Sequence, residues 1–503
     1  VYTFTTNGGM ELLPEAFSYG PTILEVTPNM ATAEGGGTGY VYGYGFGPVD
    51  SNSIPSGLTV TVGGVAAPVT AFVPYAYPTS SPPFPLQSVA YTIPPGTNGS
   101  AVNVTVTTSA GSAMASGALT YLSATQPFPL RASTLAQGIY DSYTDLYYFT
   151  DTSQIQVFSR TQGKWLSPIS IPAPKGTTQR LWGIALSPDG SKLAISDLNA
   201  GAIYFLNPAD PTSVQTFIVG SQSPFDVNPC GLAISDAGNV YYMVSVLGQG
   251  GGADQFFKLN TTTGTIYNYG IDGPGLGPND DYLRNAISSD NARVFYNEYG
   301  EVFSIDTATD TIVEALDGYG CCYGNYELAL SSNQTQFTAT FYIYDSDLNG
   351  ESYYALNDRE ILNIAYVYGA KLSPDGRLLF QPSTNGIDVF DGNLGNLRDR
   401  ISLPAALSPN YDALVDDGTD NVLVAITGTG DGIAIIDLTS VAEPGPQPYD
   451  NKIASSKHNL AGRGNRLHGD TNLGMQPDKQ NRRPAIEIRA VPHITKTLLP
   501  QRH

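Results

Sequence analysis

Residues 370–391 read AKLSPDGRLLFQPSTNGIDVFD, and three strands are legible in them. The first ends on the turn Ser373-Pro374-Asp375-Gly376, where Pro sets φ, Asp caps its own backbone and Gly takes the left-handed position. A second strand covers 377–381, Asn385-Gly386 reverses the chain, and a third strand covers 387–390. Such a meander has one apolar face and nothing of its own to bury it against. It must therefore stack on copies of itself.

The copies are present. IALSPDGSKLAISDLNAGAIYFL at 184–206 repeats the pattern, and nearly everything between 132 and 441 follows it. Turn anchors fall at Ser142, Ser187, Ser235, Ser288, Ser331, Ser373 and Asp416, roughly 42 to 53 residues apart, the spacing of four-stranded propeller blades. The expected fold class is all-β, with a seven-bladed β-propeller over 124–442. A strand at 128–132 is expected to close the ring as the outer strand of the last blade and so to hide both edges.

Composition agrees: 54 Gly and 36 Pro beside 41% hydrophobic residues suit a turn-rich β protein, and no apolar run is long enough to span a membrane. Three Cys cannot carry a fold of 503 residues. The net charge is -21, yet ten basic residues and only Asp470, Asp478 and Glu487 fall in 451–503, leaving about -28 on the first 450 residues and about +7 on the tail. All four His lie in that tail, so the body holds no His-ligated metal and no His-dependent triad. The tail at 443–503 opens on a Pro-rich exit and reads as basic and extended, with 485–491 (AIEIRAV) as a possible strand for a neighbour's edge. It has no aromatic residue to stack on bases, and an acidic body repels polyanions, so no nucleic-acid partner is expected.

The residues before the meanders form a second architecture. Strands alternate between 21 and 123 with turns every eight to twelve residues or so, as in an immunoglobulin-like β-sandwich. The carriers are Pro21-Thr22-Ile23, Val26, Pro28, Gly36-Gly37, Gly43, Gly45-Phe46, Val60 to Gly64, Ile93 to Gly96, Val104 to Thr108 and Tyr121. This set resembles the IPT/TIG family, which implies a spacer or adhesive module. Residues 1–19 match the stretch that closes on Tyr121 at constant offset, Thr5-Thr6 with Thr107-Thr108, Gly9 with Gly111 and Tyr19 with Tyr121, and residues 1–20 read as the closing strands of a preceding copy. A start on Val1 without a leader is what a processed or truncated product looks like. The meanders in turn, LSPDG followed by an I-x-V-x-D ending, resemble the YVTN-type propellers of surface-layer and lactonase-like proteins. That resemblance implies repeat class rather than activity, and an origin in bacteria or archaea.

In a propeller, the loop approaching each inner strand and the loop between second and third strands share the face around the channel mouth. The expected ligand residues there are Arg180, Asn228, Asp280, Asp281, Arg284, Asn325 and Asp412, with Asp197, Asp254, Glu298 and Asp431 beside them. Asp345, Asp347 and Asn349 followed by Gly350 form D-x-D-x-N-G, whose alternating oxygens suit calcium or, equally, an ordinary polar hairpin loop. No other cofactor is expected. Cys321-Cys322 reads as a vicinal disulfide, as a pairing of one of them with Cys230, or as free thiols.

These features point to a secreted or cell-surface protein that uses the propeller on immunoglobulin-like spacers for adhesion, for protein or glycan binding, or for assembly into oligomers or fibres through the N-terminal hairpin and the basic tail. Assembly accounts for the missing His better than turnover does. The alternatives are a lactonase-like enzyme with carboxylates and Arg180 or Arg284 polarising a sugar lactone, and a redox or quinone propeller built on Cys321-Cys322.

Overall fold

The computed structural model describes the strands Tyr2–Phe4 and Met10–Leu12, residues 20–122 apart from 50 and 75–85, the strand Gln126–Phe128, residues 134–220, and successive strand segments from 227 to 441. All of it falls in the first of two units, Val1–Ala442; the basic tail lies in the second, Glu443–His503, outside the described residues. Every regular element described is a strand.

Residues 20–122 form two sheets. One runs Thr22–Thr27, Thr38–Tyr44, Gln87–Thr92, Val69–Val73; the other runs Met30–Thr32, Gly111–Leu122, Ala101–Thr108, Thr59–Val62, Val65–Ala67. Alternation decides which side faces in: Val60, Val62, Val104 and Val106 meet Val41, Val89 and Tyr91 in one core, while the threonines between them face out. The hydroxyl of buried Tyr121 donates to the Pro94 carbonyl at 2.7 Å, which ties the last strand to the loop beneath it. Ahead of the sandwich, Tyr2–Phe4 pairs with Met10–Leu12 as a hairpin.

The meanders follow as antiparallel sheets in chain order, beginning at Gly138–Asp141, Leu181–Leu186, Val227–Ile234, Arg284–Ile287, Leu328–Leu330, Lys371–Leu372 and Leu414–Asp416. These first strands lie side by side in that order and the last returns to the first, so they form a closed ring. In the first sheet the outer strand is split into Lys164–Trp165 and Ile169–Ser170, both paired with Gln154–Ser159. The turn chemistry is as read: Ser187 Oγ donates to Asp189, Gly190 N–H returns to the Ser187 carbonyl at 2.8 Å, and Gly190 takes φ +70°. Neighbouring turns also interlock. The Asp189 N–H donates to Asp236 Oδ1 at 2.8 Å, and the Asp236 N–H to Asn291 Oδ1 at 2.8 Å.

The ring is closed by Gln126–Phe128, paired antiparallel with Ile433–Asp437, so that the strand expected at 128–132 sits slightly earlier. On the other side of the same seam, Arg160 forms an ion pair with the buried carboxylate of Asp417.

The sandwich and the ring share a sheet. Met30–Thr32 pairs in parallel with Gly111–Leu122 on one side and with Leu397–Ser402, the outer strand of the sixth meander, on the other. The sixth meander and one sandwich sheet thereby become a single nine-stranded sheet. Met30 and Leu122 join Leu378, Phe380, Ile387 and Val389 in one apolar cluster. Asn29 sets the register, accepting from Arg400 N at 2.7 Å and donating to Asp399 at 2.8 Å. The Arg400 side chain is buried between the two bodies. Its Nη1 donates to Thr27 at 3.2 Å and stands 3.5 Å from Glu25, and its Nε makes a charge contact with Asp388 at 3.4 Å. Gly37 permits the approach, because a Cβ there would lie 2.0 Å from Ser402 Oγ.

Candidate ligand-binding rim

The best-described sector of the rim spans the first two meanders. In both, the second strand ends on an aspartate that folds the next loop over its own carboxylate. Asp151 Oδ1 accepts from Ser153 N at 3.0 Å and Gln154 N at 2.8 Å, and its Oδ2 from Gln156 Nε2 at 2.6 Å. Asp197 Oδ1 accepts from Asn199 N at 3.0 Å, Ala200 N at 3.1 Å and Arg180 N at 3.0 Å, and its Oδ2 from the Tyr204 hydroxyl at 2.9 Å. Asx geometry favours this because a short carboxylate reaches N–H groups two and three residues on. Burial first, and the Asp197 charge as well, push the Tyr204 hydroxyl above its ordinary pKa, so it stays a donor to that carboxylate.

The loops of adjacent sheets are then stitched together. Leu181 N donates to the Thr152 carbonyl at 2.9 Å, Leu198 N to the Arg180 carbonyl at 3.0 Å, and Thr150 Oγ1 to the Trp182 carbonyl at 2.6 Å. The approach loop of the second sheet therefore shares a face with the inter-strand loops of the first and second, as the blade register requires. Arg180 is held by its backbone, and its guanidinium lies 4.8 Å above the Trp182 ring, a cation on an aromatic platform.

Asp412 sits in the approach loop of the last sheet, half-buried and at φ +60°, with the Gly369 backbone packed against it. Between its loop and that of Arg180 stands the approach to the first sheet, where the Nε2 of buried Gln137 finds no acceptor among the described residues. The backbone of Asn228 is paired with Ser245, that of Arg284 with Asn297, and that of Asp345 with Gln336. Cys230 and Glu298 are likewise placed by backbone alone, opposite Met243 and Glu301. Asp254, Asp280, Asp281, Cys321, Cys322, Asn325, Asp347, Asn349 and Asp431 lie outside the described residues. Among the described residues no group of three or more His, Cys, Asp or Glu is placed to hold a metal ion.

Asp197 is thus a loop organiser rather than an open ligand. Asp151 has the same role and escaped the sequence reading; its signal is a position, the aspartate closing the second strand in two aligned repeats. Trp182 and Gln137, one residue type that is common in cores and one that is common everywhere, carry no such signal. With Asp151 and Asp197 saturated by local donors, this sector offers hydrogen bonding and the Arg180 cation, which is equipment for binding.

No curated protein sequence matches the chain. Among solved structures, the beta-propeller domain of Myceliophteria thermophila Cps50 (Swd1) covers 62% of this chain and 99% of its own at 10% identity and TM-score 0.46. Kuenenia stuttgartiensis hydrazine synthase covers 62% and 97% at 12% identity and TM-score 0.45, and the RRP9 WD40 repeats give the same figures. Residues 21–122 match the model of the IPT/TIG domain family.

Proposed function

We propose that this chain is a binding module of a secreted or cell-surface protein, in which a seven-bladed propeller of YVTN type presents its channel-mouth face to a protein or glycan partner while the immunoglobulin-like sandwich holds it at fixed orientation. The observation that carries this reading is the shared nine-stranded sheet. A spacer that merely trails a propeller needs only a linker; here the outer strand of the sixth meander is hydrogen-bonded into the sandwich, and Arg400 is buried across the joint. Rigid orientation serves a module that must point one face outward. The loop organisation around Asp151 and Asp197, with Arg180 carried over Trp182, supports binding at that face.

The test is retention of the purified chain on a glycan array and on immobilised cell-envelope material, alongside Arg180→Glu. Saturable retention lost in Arg180→Glu, with unchanged thermal unfolding, is the expected result. Chelator-sensitive hydrolysis of a sugar lactone by the wild-type chain, without saturable retention, overturns the reading in favour of an enzyme.

A further inference from the structure

The outward face of the sandwich sheet that joins the propeller is lined with hydroxyls. Thr59 and Thr61 stand opposite Thr107 and Thr105, and these stand opposite Ser112 and Met114, so three strands present hydroxyls in register around a methionine that is 59% exposed. Among the described residues the sheet ends at Val65–Ala67, with Val65 52% exposed. No charged residue among the described residues lies on these strands. Glu25, Glu34 and Asp50 are the only charged residues of the whole sandwich, and Glu25 is engaged by Arg400.

We infer that this face is a homotypic contact, on which the same face of a second copy docks. Charge selects the occupant. A body of about -28 repels its own copies wherever its carboxylates meet, and the neutral sandwich face is where two copies approach without that cost. Chemistry makes the face self-complementary: a hydroxyl both donates and accepts, as Thr107 Oγ1 and Ser112 Oγ already do at 2.8 Å, so an isologous pairing leaves no group with a partner of the wrong kind. Small side chains let two sheets close to about 10 Å, and a flexible thioether at the centre adapts to its twin.

Size sets the strength. Ala101–Thr108, with 8 residues, spans about 26 Å, and four strands about 4.8 Å apart make a patch on the order of 400 Å² per copy. Twice that is below the roughly 1,200 Å² total at which stable complexes begin, so the pairing is reversible and weak. It is independent of what the propeller rim binds.

Sedimentation equilibrium of the full chain across concentration and salt tests it. A monomer–dimer equilibrium is expected that shifts toward dimer as salt screens the propellers, and that weakens tenfold or more in Met114→Glu and in Thr105→Glu. Thr70→Glu, on the exposed strand of the other sheet, leaves it unchanged. A chain that stays monomeric at every concentration overturns the inference. So does a dimer that survives both face variants, or one that Thr70→Glu breaks.

Discussion

The sandwich and the propeller solve the same packing problem with opposite materials. In the sandwich, valines alternate with threonines, the core is held by shape, and three carboxylates are all the charge there is. In the propeller, carboxylates are structural parts. Asp151 and Asp197 each fold a loop, Asp189 and Asp236 lock neighbouring turns, and Asp417 sits buried under Arg160 at the seam. A sandwich closes on itself, whereas a ring of meanders must join each sheet to the next through loops, and loops bring backbone N–H groups that need acceptors. The difference divides the materials: the neutral body is held by the shape of its core, and the charged one by carboxylates that hold its loops and turns.

The sharpest way to break this division is at the joint, where the two materials meet in Arg400. Arg400→Ala leaves Asp388 buried with its countercharge gone and is expected to cost about 3–5 kcal/mol in chemical denaturation. The loss falls on both bodies because they share a sheet. Arg400→Met, which fills the space but also removes the charge, is expected to recover little, since Asp388 remains inside. Recovery to wild type would mean that packing alone holds the joint.

Inside the propeller, Asp197→Ala strands three N–H groups and the Tyr204 hydroxyl in a buried loop, at about 2–4 kcal/mol. Hydrogen exchange should rise at Arg180, Asn199 and Ala200 and stay unchanged in the sandwich core. Uniform loosening would show that the rim loops are not built one carboxylate at a time.

Both bodies were legible in the sequence, and their joint was not. The LSPDG turns and the alternation of 102–108 are periodic signals, and periodicity survives without coordinates. Met30–Thr32 is three residues of no pattern, and its partner strand is some 370 positions away, as is Asp399 from Asn29. Gly36-Gly37 did stand out as part of the family pattern, but its reason here is tertiary: Gly37 lies against Ser402. The rim was legible as a set of loops. Which aspartates were committed to their own backbone was not, because Asp151, Asp197 and an open ligand look alike until their donors are placed.

Gly37→Val sharpens the comparison at the same joint with a smaller effect. Its side chain meets Ser402 and the Leu403 carbonyl, and overpacking of this kind costs about 1–3 kcal/mol. Separation of a single calorimetric transition into two, sandwich and propeller, is the expected signature. A single transition merely moved downward would mean that the parallel strand pairing tolerates the shift.

The smallest effect concerns acid, and it separates the bodies by their charge. Burial would raise the Asp189 carboxyl, but hydrogen bonds from Ser187 and Ser191 and the nearby Lys192 outweigh it and bring the pKa from 3.8 to about 2. A depressed folded pKa contributes stability that is complete above the unfolded value and is lost as the pH falls through the folded one, so the window is about pH 4 down to 2. Because this side chain is 42% exposed, solvent screening reduces the contribution to a few tenths of a kcal/mol. Asp145, Asp290 and Asp306, all in the propeller, are shifted in the same direction. Stability of the wild type should therefore fall over that window with the propeller amides exchanging first, and Asp189→Asn should flatten the fall slightly. A slope that Asp189→Asn leaves untouched would place the acid sensitivity of the propeller in the other lowered carboxyls, Asp145, Asp290 and Asp306.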